Sequence, residues 1–269
     1  MTRVWNDGAW IPAADFAVAP SDRGLLHGLG LFEAMLAIDG NLPLWDRHQR
    51  RLESSCARLG WMVDVSEVPQ AVAEMTAGGK RTFRVRVGLT AGSGRMDELQ
   101  RGSDFLQWLT VMPADDPPKI VRLGICPWRR NSRSPLAGLK CASYAANLLA
   151  LDYARRMNCD DLLWANELDE LCEASTANVF LVSDGTLVTP ALASGCLPGI
   201  AREVICEHAQ RHGIRVLEQR VKMNEADEAD EIILTNSVRG PVQGVVGGVK
   251  PPGPVLEVLQ ESWRAAGLG

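Results

Sequence analysis

Residues 113–118 read PADDPP, and they limit the fold more than any other stretch of the chain. The prolines remove backbone donors and fix φ, while the acids between them stay hydrated. Neither a helix nor a central strand can run through such a segment. Apolar segments lie on both sides of it. The 269 residues are therefore expected to fold in two parts: an N-terminal α/β domain over 1–112, a linker over 113–118 and a C-terminal domain over 119–269.

Both parts mix strands and helices. "RVWNDGAWIP" predicts a hairpin turning at Asp7-Gly8, and "LFEAMLAIDGNLPLW" a second turning at Asp39-Gly40. Asp46 is expected to cap a helix with the stripe Leu52, Cys56 and Leu59, stopped by Gly60. "EVPQAVAEMTAGG" predicts another helix, and "TFRVRVGLTAG" and "DFLQWLTVMP" predict strands. After the linker come a strand at "KIVRLGICPW", a basic loop "RRNSRSPLAG" and a helix over about 144–157. Strands follow at "DDLLWAN", "LCEAS", "NVFLVSDGTLVTP", "IRVLEQRV" and "EIILTNS", with helices at "GIAREVICEHAQRHG" and "PVLEVLQESWRAAG". The pattern is α+β, with mixed or antiparallel sheets and flanking helices.

A net charge of −5 does not suggest a general nucleic-acid binder. No apolar run is long enough for a membrane span, and the first residues lack a signal-peptide core. A cytoplasmic location is expected. The seven cysteines are scattered without a CxxC, which argues against a disulfide framework and a zinc site. Most are expected to be buried and reduced. His208 and His212 are four residues apart on a predicted helix, but the pattern reads as a solvated face rather than a metal site. No metal is expected. "TAGSGR", ending at Arg95, reads as a connecting loop.

Of the five lysines, four have surface readings: Lys80 in a Gly-Gly turn, Lys119 opening a strand, Lys222 in a charged run and Lys250 before Pro-Pro. Lys140, in "GLKCASYAANLLALDYARR", sits among apolar and small residues. Low-dielectric surroundings reduce the cost of losing its proton and make it a nucleophile; the alternative is a packed stem with the amine in water. Glu173, in "ELCEASTANVFLV", is a carboxylate in an apolar setting and needs a positive partner. Gly199 and Ile200 open a helix whose N–H groups suit phosphate. A Schiff-base lysine, a carboxylate for a ring nitrogen and a phosphate cup together describe pyridoxal phosphate.

The segments "DRGLLHGLGLFEAMLAIDGNLPLWDRHQRRLESSCARLG", "LAGLKCASYAANLLALDYA", "DELCEASTANVFLVSDGTLVTPALASGCLPGIAREV" and "ADEIILTNSVRGPVQGV" carry a wider likeness. Over nearly its full length the chain resembles the class IV (fold type IV) pyridoxal-phosphate aminotransferase family. That family includes branched-chain and D-amino acid aminotransferases and 4-amino-4-deoxychorismate lyases. The resemblance implies the two-domain fold of D-amino acid aminotransferase-like enzymes, pyridoxal 5′-phosphate as cofactor, a small-molecule substrate and a homodimer. By position it makes Lys140 the Schiff-base lysine and Glu173 the partner of the pyridine nitrogen. Arg51 becomes the phosphate clamp, Gly199 and Ile200 the phosphate cup, and Asn236 and Ser237 a second phosphate-binding turn. Many relatives carry threonine after the Gly-Ile pair. Ala201 stands there in this chain, so one hydroxyl contact is missing and weaker cofactor retention is expected.

"NSVRGPV" and "SPLAGLK" look most like the lyase members, and the arginine-x-histidine pair of typical D-amino acid aminotransferases is absent from 86–100. The resemblance thus implies a lyase that releases pyruvate and 4-aminobenzoate. The alternatives are an aminotransferase acting on D-amino acids, branched-chain amino acids or amines, and an idle cofactor-binding protein, which the intact Lys140 and Glu173 speak against. A dicarboxylate substrate suits arginine. The candidate substrate residues are Phe32, Arg84, Arg86, Arg95, Arg129, Arg130, Arg133 and Arg239.

Overall fold

The computed structural model describes residues 2–78, 82–248 and 252–269. Lys80 and Lys250 therefore lie outside the described residues. Two compact units emerge. The first runs to Asp115 and also takes in Leu139–Tyr144; the second holds Asp116–Gly138 and Ala145–Gly269.

The first unit begins with β1 (Arg3–Asn6) and β2 (Ala9–Pro12). Asp7 and Gly8 between them both have positive φ, 49° and 81°, the geometry that matches a hairpin to right-handed strand twist. Next come α1 (Arg23–His27), β3 (Gly30–Ile38), α2 (Trp45–Arg58), α3 (Val68–Thr76), β4 (Thr82–Thr90) and β5 (Leu106–Pro113). The five strands form an antiparallel sheet in the order β2-β1-β5-β4-β3. Leu52 and Cys56 of α2 bury against this sheet's apolar face with Met35, Val85 and Val87.

Two expectations for this unit need correction. Asp39 and Gly40 do make a turn, but the predicted returning strand does not form: one bridge, Ile38 to Asn41, follows the turn. Pro43 offers no N–H to a ladder, and β3 pairs along all nine of its residues with β4 instead. Nor does Asp46 cap α2. The N-cap is Leu44, and Asp46 lies in the first turn, where its charge meets the positive end of the helix dipole.

The second unit contains β6 (Ile120–Arg130), α4 (Ala145–Arg156), β7 (Asp161–Asn166), β8 (Leu171–Ala174), β9 (Asn178–Ser183) and β10 (Thr186–Pro190). It continues with α5 (Ile200–Arg211), β11 (Val216–Gln219), α6 (Glu225–Glu228), β12 (Glu231–Asn236), β13 (Gly240–Val246) and α7 (Pro254–Ala265). Its eight strands form a mixed sheet ordered β11-β10-β9-β12-β13-β6-β7-β8. Every residue of β7 is buried, as expected of a strand covered on both faces. Arg129 and Arg130, read from sequence as the start of a loop, belong to β6. They pair with Ala165 and Asn166 after an irregularity in the ladder. His208 is likewise not on a solvated face: it is buried, and its Nδ1 meets Ser262 Oγ of α7 at 2.9 Å. Among the described residues, no helix is long and apolar enough to cross a membrane.

Candidate active site

The first unit brings Lys140 to β3. The Phe32 N–H donates to Lys140 O at 2.9 Å, and the Ala142 N–H donates to Gly30 O at 2.8 Å. Residues 140–142 thus run beside the start of β3. Lys140 Nζ stands 4.5 Å from the centroid of the buried Phe32 ring. The Arg86 guanidinium lies 3.8 Å from the same centroid, and Tyr144 meets the ring edge-on at 5.5 Å. Two cations and one aromatic ring therefore share one small volume. Lys140 itself is half-buried, whereas Lys119 and Lys222 are exposed.

Arg86 is unusual in this setting. Burial, with the Arg84 charge adding, pulls its guanidinium below the ordinary value, and Tyr144 opposes this. Among the described residues it has neither a carboxylate nor a hydrogen-bond acceptor. A half-buried arginine in that state is favoured by an incoming anion.

Residues of β3 alternate between the two faces of the sheet, so Glu33 points away from Phe32 and toward α2. Arg51 Nε and Nη2 donate to its two oxygens at 2.8 and 2.6 Å, and His48 Nδ1 lies 2.7 Å from Oε2. Burial pushes the Glu33 carboxyl up, but Arg51 and His48 outweigh it and hold the group at about 2. Burial pulls His48 below its ordinary value against the pull of Glu33; Arg51 and Lys140 act in the same direction as burial.

The sign of the pH dependence follows. The unfolded chain takes up a proton at His48 near 6.5 that the folded chain does not, so stability falls as pH drops below that value. Glu33 adds a second loss between 4.5 and about 2. A series of melting temperatures from neutral to acid pH is expected to show both. His48→Gln is expected to flatten the upper part; an unchanged slope below 6.5 would contradict the assignment.

In the second unit, Glu173 on β8 is buried. Its Oε2 accepts from the Leu197 N–H at 3.0 Å and from Asn178 Nδ2 at 3.3 Å, and Oε1 lies 3.4 Å from Arg130 Nη2. Asn178 Nδ2 also donates to Leu197 O at 2.9 Å, so one amide ties the carboxylate to the chain that enters α5. Gly199 is the N-cap of α5, and no side chain caps it. The first-turn N–H groups, including Ile200, have no intrahelical acceptor. A Cβ on Gly199 would collide with Asn178 Oδ1, so glycine is needed there for close approach. Ala201 is buried beside this turn.

Asn236 ends β12. Its Oδ1 accepts from the N–H groups of Val238 and Arg239 at 3.0 and 2.9 Å, which shapes the turn through Ser237, and its Nδ2 donates to Thr176 O. The neighbouring Thr235 Oγ1 is buried without a hydrogen-bond partner among the described residues.

The candidate arginines separate clearly. Arg86, Arg130 and Arg239 are half-buried. Arg130 lies over Trp164 as well as beside Glu173, and Arg239 donates to Thr176 Oγ1 at 2.7 Å. Arg84 and Arg133 are exposed. Arg95 is exposed and paired with Asp97, and Arg129 is exposed and paired with Asp169. Sequence reasoning missed Glu33, His48, Asn178 and Tyr144. For Glu33 and Asn178 the signal was a polar residue within an apolar run, or at its edge, which needs a buried partner; His48 stands in a polar stretch and carries no such signal.

Residues 30–245 match the family described as amino-transferase class IV. The chain is similar to the crystal structure of 4-amino-4-deoxychorismate lyase from Pseudomonas aeruginosa: 30% identity, TM-score 0.84, covering 97% of this chain and 98% of that one. It is also similar to a branched-chain aminotransferase from Thermoproteus uzoniensis solved with norvaline: 25% identity, TM-score 0.88, covering 98% and 94%. Branched-chain-amino-acid aminotransferase 5 of Arabidopsis thaliana is 27% identical over 258 residues, covering 87% of this chain and 61% of the relative.

Proposed function

The chain belongs to the class IV aminotransferase family of pyridoxal 5′-phosphate enzymes, and on that footing we propose that it is a 4-amino-4-deoxychorismate lyase releasing pyruvate and 4-aminobenzoate. The observation that carries this reading is Arg86. A half-buried guanidinium beside Phe32 and Lys140, without a carboxylate among the described residues, suits an anionic substrate. It is a poor neighbour for the apolar side chain of a branched-chain amino acid. Likeness to the Pseudomonas aeruginosa lyase over almost the whole of both chains supports the same choice.

The donor set fits the cofactor. A half-buried lysine amine, a buried carboxylate and an uncapped helix start are what an aldehyde, a pyridine nitrogen and a phosphate require. When bound, pyridoxal phosphate supplies a ring that accepts electrons and so acidifies the amine-bearing carbon of the substrate. Lys140 holds the cofactor and then takes the proton from that carbon. Glu173, held by Leu197 N–H and Asn178, keeps its charge toward the ring nitrogen. Arg51, the first turn of α5 at Gly199 and Ile200, and the Asn236–Ser237 turn hold the phosphate. Arg86 grips a substrate carboxylate and leaves the neighbouring bond oriented for loss of the pyruvate portion. The remaining ring becomes aromatic, which drives the step. The reading puts the reaction in folate biosynthesis, in the cytoplasm, performed by a homodimer.

The second reading is a branched-chain aminotransferase, favoured by the likeness to the Thermoproteus and Arabidopsis enzymes. The test supplies 4-amino-4-deoxychorismate, and separately a panel of D- and L-amino acids with a keto-acid acceptor. Equal amounts of pyruvate and 4-aminobenzoate are expected, with slow keto-acid formation from the panel. Rapid amino transfer without detectable 4-aminobenzoate would establish the second reading.

A further inference from the structure

Arg51 is 11% exposed, but the carboxylate that holds it is 1% exposed and His48 is 0% exposed. Burying this set is costly, and a packed apolar trio would fill the space with less desolvation. The geometry has a second consequence besides stability. Glu33 takes Arg51 by its Nε and Nη2 edge at 2.8 and 2.6 Å. A two-point grip fixes the plane of a guanidinium as well as its position, and so fixes the direction of its other N–H donors. His48 supports Glu33 in turn. An ionised carboxylate only accepts, so the hydrogen between Glu33 Oε2 and His48 lies on Nδ1. The opposite nitrogen, Nε2, is buried without a partner among the described residues. His48 and Arg51 are three residues apart on α2 and so lie on one face of that helix.

We propose that Glu33 is a positioning residue for phosphate recognition: it sets the plane of the Arg51 guanidinium so that Arg51 grips the phosphate of the cofactor, with His48 holding Glu33 in place. This rests on the reading of Arg51 as a phosphate ligand. Glu33 touches neither cofactor nor substrate in this role. Its effect is confined to the phosphate end of the ligand and leaves the ring end alone.

The test uses the full chain, stripped of cofactor, and compares its affinity for pyridoxal 5′-phosphate with that for pyridoxal, which has no phosphate. Arg51→Gln is expected to collapse the preference for the phosphorylated form. Glu33→Gln is expected to reduce that preference about tenfold, the scale on which outer partners that orient ligating side chains act, with pyridoxal affinity unchanged. The double variant is expected to be no worse than Arg51→Gln alone, because both act through one contact. Glu33→Asp keeps the buried charge, and so serves if Glu33→Gln does not fold. It withdraws the carboxylate by one methylene and is expected to lower the preference as well. Equal loss of affinity for both ligands, or an unchanged preference in a folded Glu33 variant, would reduce Glu33 to a structural role and overturn the proposal. If Arg51→Gln itself leaves the preference intact, the phosphate reading of Arg51 fails and the proposal fails with it. A collapse in Arg51→Gln with an intact preference in the Glu33 variants would sink the proposal alone.

Discussion

Lys140→Ala is expected to give a folded protein without the visible absorbance of covalently held cofactor, and with turnover reduced by about four orders of magnitude. The size follows from the two duties assigned to one amine. It anchors the cofactor through a covalent bond, and it removes the proton from the substrate carbon, a role worth up to about ten-thousandfold by itself. Folding should survive. Lys140 is half-buried, and its contact with the buried Phe32 ring at 4.5 Å is worth about 1–2 kcal/mol. Borohydride reduction of the wild-type holoenzyme, followed by peptide mass spectrometry, should place the adduct on Lys140. Lys119 and Lys222 are exposed and have no comparable setting. An adduct on another lysine, or an unchanged spectrum in the alanine variant, would end the assignment.

The parts of the fold legible in the sequence are those written in local chemistry. Asp7-Gly8, Asp39-Gly40 and Asp184-Gly185 all turn with positive φ, because aspartate and glycine tolerate that region. The strand at β13 was missed for an equally physical reason. Its glycines and Pro241 are poor strand formers and predict no strand, yet it is a central strand between β12 and β6. Gly244 suits that place, since a Cβ there would press on Leu123 and Ile232. The helix α1 is five residues long, too short for a periodic pattern, and its local clues were its caps, Asp22 before it and Gly28 after it. The site divides in the same way. Lys140 and Glu173 stand out because each is a charge in an apolar setting. Their neighbours do not. Arg130 reaches Glu173 only because β6 pairs with β7 after an irregular register, and β7 with β8. Arg51 and His48 reach Glu33 only because α2 packs on β3. Such encounters depend on which faces meet, and residue spacing does not encode that.

Arg86→Gln is expected to cost about 2–5 kcal/mol in kcat/KM for 4-amino-4-deoxychorismate, the range for leaving one member of a desolvated charged pair without its partner. The spectrum of the bound cofactor should not change, because Arg86 is assigned to substrate and not to cofactor. The loss separates this arginine from the rest of the pool. Arg95 and Arg129 are exposed and already paired with Asp97 and Asp169, so replacing either should change turnover little. Arg130 stands beside Glu173, so replacing it should disturb the cofactor spectrum first. Arg86 alone among the half-buried candidates shares the Phe32 ring with Lys140. Substituting glutamine keeps a polar group of similar length and removes the charge, so the measured difference reports on anion binding more than on packing. The variant also separates the two reactions. Transfer from a branched-chain amino acid does not need a second cation for a second carboxylate, and should suffer less than release of 4-aminobenzoate. If 4-aminobenzoate release stays within about twofold of wild type, well below the cost of an unpaired buried charge, Arg86 does not meet the substrate. The observation that favours the lyase over the aminotransferase would then be gone.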